Sequence, residues 1–302
     1  MSKIGKIDLD TFEKFVMQRL GRSNKKVIVP PQIGVDASVI DIGNGYLRVI
    51  RNPKYGYGKN MNPCIDCRIF MLNQAKKYAK KVGAKFIFTG EVLDERPMSQ
   101  HYKALKIIEK EADLEGKILR PLSVKLLPKT EAEKNGWVDR NKLLAVRSRK
   151  PQITMIKKIG ITEYPCPAGG CLLTYKEFAS KIRDLFKHKK RITMKDILLL
   201  KIGRHFRFSK NKIIVGRNEQ ENKQLLNLKQ KIDYLFEVTD YGSPITILQG
   251  PKTKEAMKIA VELTARYSDN KSSKIKLRYG RHLNELITVS SLSDGEIDKL
   301  RI

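Results

Sequence analysis

Four cysteines fall in two short-spaced pairs, Cys64-x-x-Cys67 and Cys166-x-x-x-x-Cys171. The three-residue step of the first pair lets both sulfurs face one ion or each other, which suits metal ligation or redox chemistry. A predicted helix begins there, and its free N–H groups and dipole favour a thiolate. The plainer alternative is two small residues packing a helix start. The second pair, in Cys166-Pro167-Ala168-Gly169-Gly170-Cys171, is spaced more widely than a zinc knuckle, but proline and glycines can bend the backbone until the sulfurs converge. Four thiolates together fit a tetrahedral zinc ion or an iron–sulfur cluster, and a catalytic disulfide is the competing use.

Thr89-Gly90-Glu91 follows a predicted strand, at the carboxyl edge where open α/β sheets bind ligands. Glu91 there could orient a nucleotide or a metal, or simply balance a helix dipole. Arg96, Ser99, Arg147, Arg149 and Lys150 are candidate phosphate contacts, against which stands the commoner reading of a basic run as a solvated face. Further along, Arg204-His205-Phe206-Arg207 and Gly216-Arg217-Asn218 interleave cations with aromatic and turn residues, a mixture suited to RNA. Arg204, Arg207 and Arg217 can grip phosphate or stack on a base, and Asn218 can reach base edges. Phe206 or Phe208 could supply a stacking platform, although a strand core is their plainer role. His205 by itself is more simply a hydrogen-bonded structural histidine, and Trp137 has no assignable role.

These residues sit in a chain of 302 with 61 Lys+Arg against 32 Asp+Glu, a formal charge of +29 and a pI of about 9.9. That balance points to a polyanionic partner. The excess is +2 over residues 1–47, +15 over 48–186 and +12 over 187–302. With 41% apolar and 31% charged residues, the composition supports one or two packed domains and excludes a disordered tail or fibrous repeat. No apolar run reaches the roughly 18 residues of a bilayer span, and the opening MSKIGKIDLD lacks a signal core, so a soluble cytoplasmic protein without membrane association is expected.

The elements that must position the candidates follow from periodicity. Leu72, Ala75, Ala79 and Val82 recur at helical spacing, and Gly83 marks the helix end. Lys85-Phe86-Ile87-Phe88 predicts a short buried strand, residues 102–109 a helix, and 117–122 a second strand, an alternation that argues for α/β layering with a parallel sheet. A helix over 152–158 follows. Beyond the run Lys187-His188-Lys189-Lys190-Arg191, residues 206–208 and 212–215 flank Ser209-Lys210-Asn211 as in a hairpin. Helices are expected over 221–235 and 256–266, with extended segments at 244–248 and 274–279, an α+β pattern.

Asn52-Pro53-Lys54-Tyr55-Gly56-Tyr57-Gly58-Lys59-Asn60-Met61-Asn62-Pro63-Cys64-Ile65-Asp66-Cys67, Thr89-Gly90-Glu91 and Arg96-Pro97-Met98-Ser99-Gln100 resemble the tRNA thiouridine synthetases of the PP-loop ATP pyrophosphatase class. Leu119-Arg120-Pro121-Leu122, Arg147-Ser148-Arg149-Lys150-Pro151-Gln152 and the segment around Cys166 and Cys171 extend the likeness over about residues 47–186. Residues 187–302, with Gly203-Arg204-His205-Phe206-Arg207 and Val215-Gly216-Arg217-Asn218-Glu219-Gln220-Glu221-Asn222, look like an NFACT-type RNA-binding domain.

The resemblance implies a partial parallel-sheet, adenine-nucleotide α-hydrolase-like α/β domain followed by an α+β RNA-binding domain. It also implies ATP-dependent adenylation of a tRNA uridine carbonyl and sulfur transfer that displaces AMP, giving 4-thiouridine or 2-thiouridine. Cys64, Cys67, Cys166 and Cys171 would then carry sulfur or hold an iron–sulfur cluster or zinc, Thr89, Gly90 and Glu91 would lie near the nucleotide, and a sulfur donor protein would be a partner. The sequence carries no Ser-Gly-Gly-x-Asp-Ser phosphate loop; residues 1–46 instead look like the opening of an AIR synthase-related protein. The loop would then come from a second copy or a partner in trans. The alternative is a non-catalytic RNA-binding protein with a cysteine cluster.

Overall fold

The structure, a computed structural model, describes residues 27–29, 39–40, 42, 44–158, 160 and 171–302. The expectations for most of residues 1–43 and for 161–170, Cys166 among them, lie outside the described residues. The chain divides between Cys171 and Leu172 into two compact units.

In the first unit, β1 (Val27–Val29) and β2 (Val39–Ile40) pair antiparallel, and α1 (Gly45–Arg51) follows. Helix α2 (Cys64–Val82) begins at the first cysteine pair and ends as the sequence predicts. Gly83 adopts the left-handed conformation at φ +69°, and the next amide, that of Ala84, donates back to the Ala79 carbonyl at 2.9 Å. Its packing face keeps the expected stripe at Leu72 and extends it towards the N-terminus rather than to Val82. Ile65, Ile69 and Leu72 meet the apolar cluster, whereas Val82 is 38% exposed. One turn on, Lys76 hydrogen-bonds the Ala112 carbonyl and Asp113, so the interior stripe already ends in a cation there.

Strand β3 (Ile87–Phe88), helix α3 (Tyr102–Glu111) and strand β4 (Ile118–Leu119) form a β-α-β unit, the two strands parallel with Ile87 opposite Ile118. A parallel pair needs such a crossover. Helix α3 is started by His101, whose Nδ1 accepts from the Ala104 amide, and it buries Ala104, Leu105 and Ile108. The expected buried strand is half exposed: Ile87 joins the core, but Phe88 points out at 70% exposure because only one face of the pair is covered. Helix α4 (Glu131–Lys134), with a reciprocal Thr130–Glu133 cap, and helix α5 (Lys150–Lys158) complete the described part of this unit.

The second unit opens with α6 (Lys176–His188) and α7 (Met194–Leu200), the latter capped by Thr193 and Asp196. The expected hairpin forms between β5 (Arg204–Phe208) and β6 (Asn211–Val215), with Ser209 at φ +49° in the turn. Helix α8 (Glu219–Leu228) is shorter than the sequence predicts. The stretch to residue 235 is broken by a turn in which the Asp233 carboxylate accepts from the Gln230 amide, and β7 (Tyr234–Val238) follows. Strand β8 (Thr246–Gln249), helix α9 (Lys254–Arg266), strands β9 (Ile275–Gly280) and β10 (Glu285–Val289), and helix α10 (Asp294–Leu300) close the unit.

The six strands form one antiparallel sheet in the order β10-β9-β7-β8-β6-β5. Its alternating side chains make two cores. Phe206, Ile213, Phe236, Leu248 and Leu277 pack with Ala256, Ala260 and Leu263 of α9. Ile214, Leu235 and Ile247 pack on the other face with Leu199 of α7 and Leu225 of α8. Strand β6 is therefore buried on both faces, which accounts for its unbroken Ile213-Ile214-Val215 run. Among the described residues, no helix is long and apolar enough to cross a membrane.

Candidate functional site

The start of α2 carries Cys64 and Cys67, two of the three described thiols. Asp66, inside the cysteine pair, accepts from the amides of Lys54 at 2.8 Å and Tyr55 at 3.0 Å, which fixes the preceding loop onto the helix. Asn62 Nδ2 donates to Cys64 Sγ at 3.0 Å, and the Tyr46 hydroxyl donates to Cys67 Sγ at 3.2 Å. Cys171 lies within electrostatic reach of the same group. Burial pushes the Cys64 thiol above its ordinary value, the charges of Cys171 and Cys67 push it further, and Arg96 and Arg68 oppose them. Burial and the hydrogen bond to Cys67 likewise raise the Tyr46 phenol. The helix start therefore does not leave Cys64 a poised thiolate: desolvation and neighbouring sulfurs outweigh it. Among the described residues, no three His, Cys, Asp or Glu side chains form a metal-holding group.

Thr89, Gly90 and Glu91 stand at the carboxyl end of β3. Glu91, only 1% exposed, is held by Arg120 Nε at 2.9 Å, Arg68 Nε at 3.2 Å and the Thr89 hydroxyl at 3.1 Å. Arg120 also binds Glu109. The Glu91 carboxylate is thus committed to a buried ion network, while Gly90 leaves open backbone at the strand end. Arg147 pairs with Asp94 at 2.7 Å and Arg149 with Glu95 at 3.5 Å, so these two cations face acids of the loop that carries Arg96. Ser99 is buried, and Lys150 is exposed at the first turn of α5.

In the second unit, the two RNA-suited segments converge. A cleft of about 310 Å³ is lined by Arg204 at the start of β5, by Gly216, Arg217, Asn218 and Asn222 where β6 turns into α8, and by Tyr267 beyond α9. The Arg204 guanidinium lies 4.5 Å from the centre of the Tyr267 ring, whose other neighbours are Phe206 at 6.0 Å and Arg301, which donates to its hydroxyl at 3.0 Å. Arg217 grips Glu221 bidentately through Nε and Nη2, and this pairing holds the Glu221 carboxyl below its usual range. Asn218 caps α8, its Oδ1 accepting from the Glu221 amide at 2.9 Å. Asn222 ties the helix to the facing loop, donating to the Ser243 carbonyl and accepting from the Ile245 amide. A Cβ at Gly216 would overlap the Asn222 Oδ1, which is held in place by the Ile245 amide.

Arg207 does not join this cleft. It projects from the opposite face of β5 and binds Asp184 of α6, which also receives Lys212 at 3.4 Å and His188 at 3.2 Å. Burial would raise the Asp184 carboxyl, but Arg207 and Lys212 bring it below its usual value. Burial and the Arg207 charge push Lys212 down to about 8. His205 takes the plainer role: buried, it donates through Nε2 to the Ile202 carbonyl at 2.7 Å, and burial beside Lys212 and Lys181 keeps its pKa well below the ordinary imidazole value. Phe206, fully buried, is core. The aromatic ring of the cleft is Tyr267, which sequence reading missed: it carries no motif and reaches Arg204 only because α9 crosses the sheet.

An antiparallel sheet covered on both faces, with a polar, arginine-lined cleft, defines an α+β module. Residues 203–301 match the family model described as the NFACT protein RNA binding domain, so the second unit contains an RNA-binding domain. Among solved structures, the C-terminal part of the fibronectin/fibrinogen-binding protein from Streptococcus suis is similar at 12% identity and a TM-score of 0.31, over 79% of this chain and 84% of that one, a likeness too slight to bear on the fold. No curated protein matches the chain.

Proposed function

We propose that this chain is an RNA-binding protein whose second unit receives a nucleotide of the RNA in the Arg204–Tyr267 cleft. The observation that supports this reading is the convergence, inside the family match, of Arg204, Arg217 and Asn218 with one aromatic ring. Donors from Arg204, Arg217 and Asn218 and acceptors from Glu219 and Asp269 share the recess. That mixture fits the edge of an unstacked base, with Arg204 on Tyr267 as a planar surface to stack on. Photocrosslinking of RNA to the full chain tests it. Adducts on peptides bearing Arg204, Arg217 or Tyr267 are expected, and adducts confined to peptides away from the cleft would overturn the reading.

A second reading, tRNA thiolation, is favoured by the gathering of Cys64, Cys67 and Cys171 beside Arg68 and Arg96. In that reading the RNA is tRNA, the three thiols with Cys166 carry sulfur or, completed by Cys166, hold zinc or an iron–sulfur cluster, and ATP acts near Thr89 and Gly90. A sulfur donor protein and a second chain bearing the phosphate loop are its further partners. Incubating the protein with ATP, a sulfur donor and tRNA and then analysing the nucleosides separates the readings. Thiouridine that disappears in Cys64→Ser supports thiolation, whereas tRNA binding without ATP binding leaves the RNA-binding reading alone.

A further inference from the structure

The first unit contains a cavity of about 240 Å³ between α3, β4 and the segment leading into α4. Neither the RNA cleft nor the thiol group uses it. Arg120, 3% exposed, is among its lining residues, with Nε bound to Glu91 and Nη1 to Glu109. The third nitrogen, Nη2, is buried and has no hydrogen-bond partner. An unpaired guanidinium N–H in a desolvated place forfeits the hydration it would have in water, and buried polar groups of folded proteins are otherwise almost always paired. Leu105, Ile118, Val124 and Leu127 supply apolar lining beside it. Tyr102 and the exposed lysines 106, 129 and 134 stand around it, Lys106 lying 5.9 Å from the Tyr102 ring centre.

From this we infer that the cavity is a binding site for a compact organic anion, with an apolar body between the leucine and isoleucine walls and a carboxylate or phosphate head on Arg120 Nη2. Glu91 and Glu109 are balanced together by Arg120 and Arg68, so the buried ion cluster is neutral and the net pull on an anion comes from the surrounding lysines. The volume lies below the roughly 300–1,000 Å³ of sites for drug-sized ligands, which limits the occupant to a small molecule. Arginine suits the head because its fixed, always charged donors match oxyanion geometry.

Thermal unfolding of the full chain with three probes tests the site: benzoate, phenyl phosphate and neutral benzyl alcohol. A ligand of the folded state raises the midpoint with concentration. At least one anion is expected to do so and the alcohol is not, and the stronger anion identifies the head group. Leu127→Trp, which fills the cavity at a half-buried position, is expected to abolish the shift. Should that variant misfold by circular dichroism, Lys129→Glu at an exposed position is expected to weaken the shift. No shift with either anion, an equal shift with the alcohol, or a shift unchanged in folded Leu127→Trp and in Lys129→Glu would each overturn the inference.

Discussion

Glu91 and Arg147 carry charges of opposite sign, and their surroundings give those charges different weight. Glu91 pairs with Arg120 where water is excluded and also meets the partly exposed Arg68, whereas the Arg147–Asp94 pair is 63% and 42% exposed. Removing one member of a buried pair leaves the other uncompensated, so Glu91→Gln should lower unfolding stability by on the order of 3 kcal/mol. Arg147→Ala should change it by less than about 1 kcal/mol. Urea midpoints check both, and equal effects would contradict the buried network. Lys212 provides a pH signature. Its folded pKa of about 8 lies below its ordinary 10.5, so between those values the unfolded chain holds a proton that the folded one has released. Stability must then rise with pH across that window, by on the order of 3 kcal/mol relative to Lys212→Met, and stay parallel to the variant below it. Thermal midpoints from neutral to alkaline pH for both proteins measure this, and parallel curves throughout would contradict it.

At the scale of elements, the α8 start and the loop before β8 form one wall of the cleft because Asn222 joins them. Asn222→Ala strands the Ile245 amide and should cost about 1–3 kcal/mol. Glu219→Ala, which breaks only an exposed pair with Lys223, should cost almost nothing. Denaturant titration distinguishes them, and equal midpoints would show that the wall does not depend on Asn222. The elements also show what the sequence could and could not tell. The β5–β6 hairpin, the α2 end at Gly83 and helix α9 were legible because periodicity and turn residues act within a few positions. The end of α8 was not, since Leu225 and Leu235 both suit a helical stripe and only the Asp233 turn separates them. The buried stripe of α2 was legible at Leu72 but its extent was not, because Ile65, Ile69, Ala75 and Ala79 all fit the helical period and contact with α3 sets where burial stops. Tyr267 and the Glu91–Arg120 network depend on long-range approach, which no local pattern encodes.

For the molecule as a whole, the central claim is that a chain of net charge +29 binds RNA and that the Arg204–Tyr267 cleft is where a nucleotide is received. The excess cations supply attraction that does not depend on sequence, through release of counterions from the RNA backbone. In the function proposed above, a stacked and hydrogen-bonded base in the cleft adds to it. These two parts respond differently to salt and to substitution. The most direct measurement is fluorescence anisotropy of a labelled RNA titrated with the full chain over a range of salt concentrations, for the wild type and for the Arg204→Ala, Arg217→Ala double variant. For the wild type, log affinity should fall linearly with log salt, and the variant should bind more weakly by roughly tenfold or more at every salt concentration, as loss of a stacked base requires. A wild-type affinity indifferent to salt, or a double variant that binds as tightly as the wild type, would contradict it.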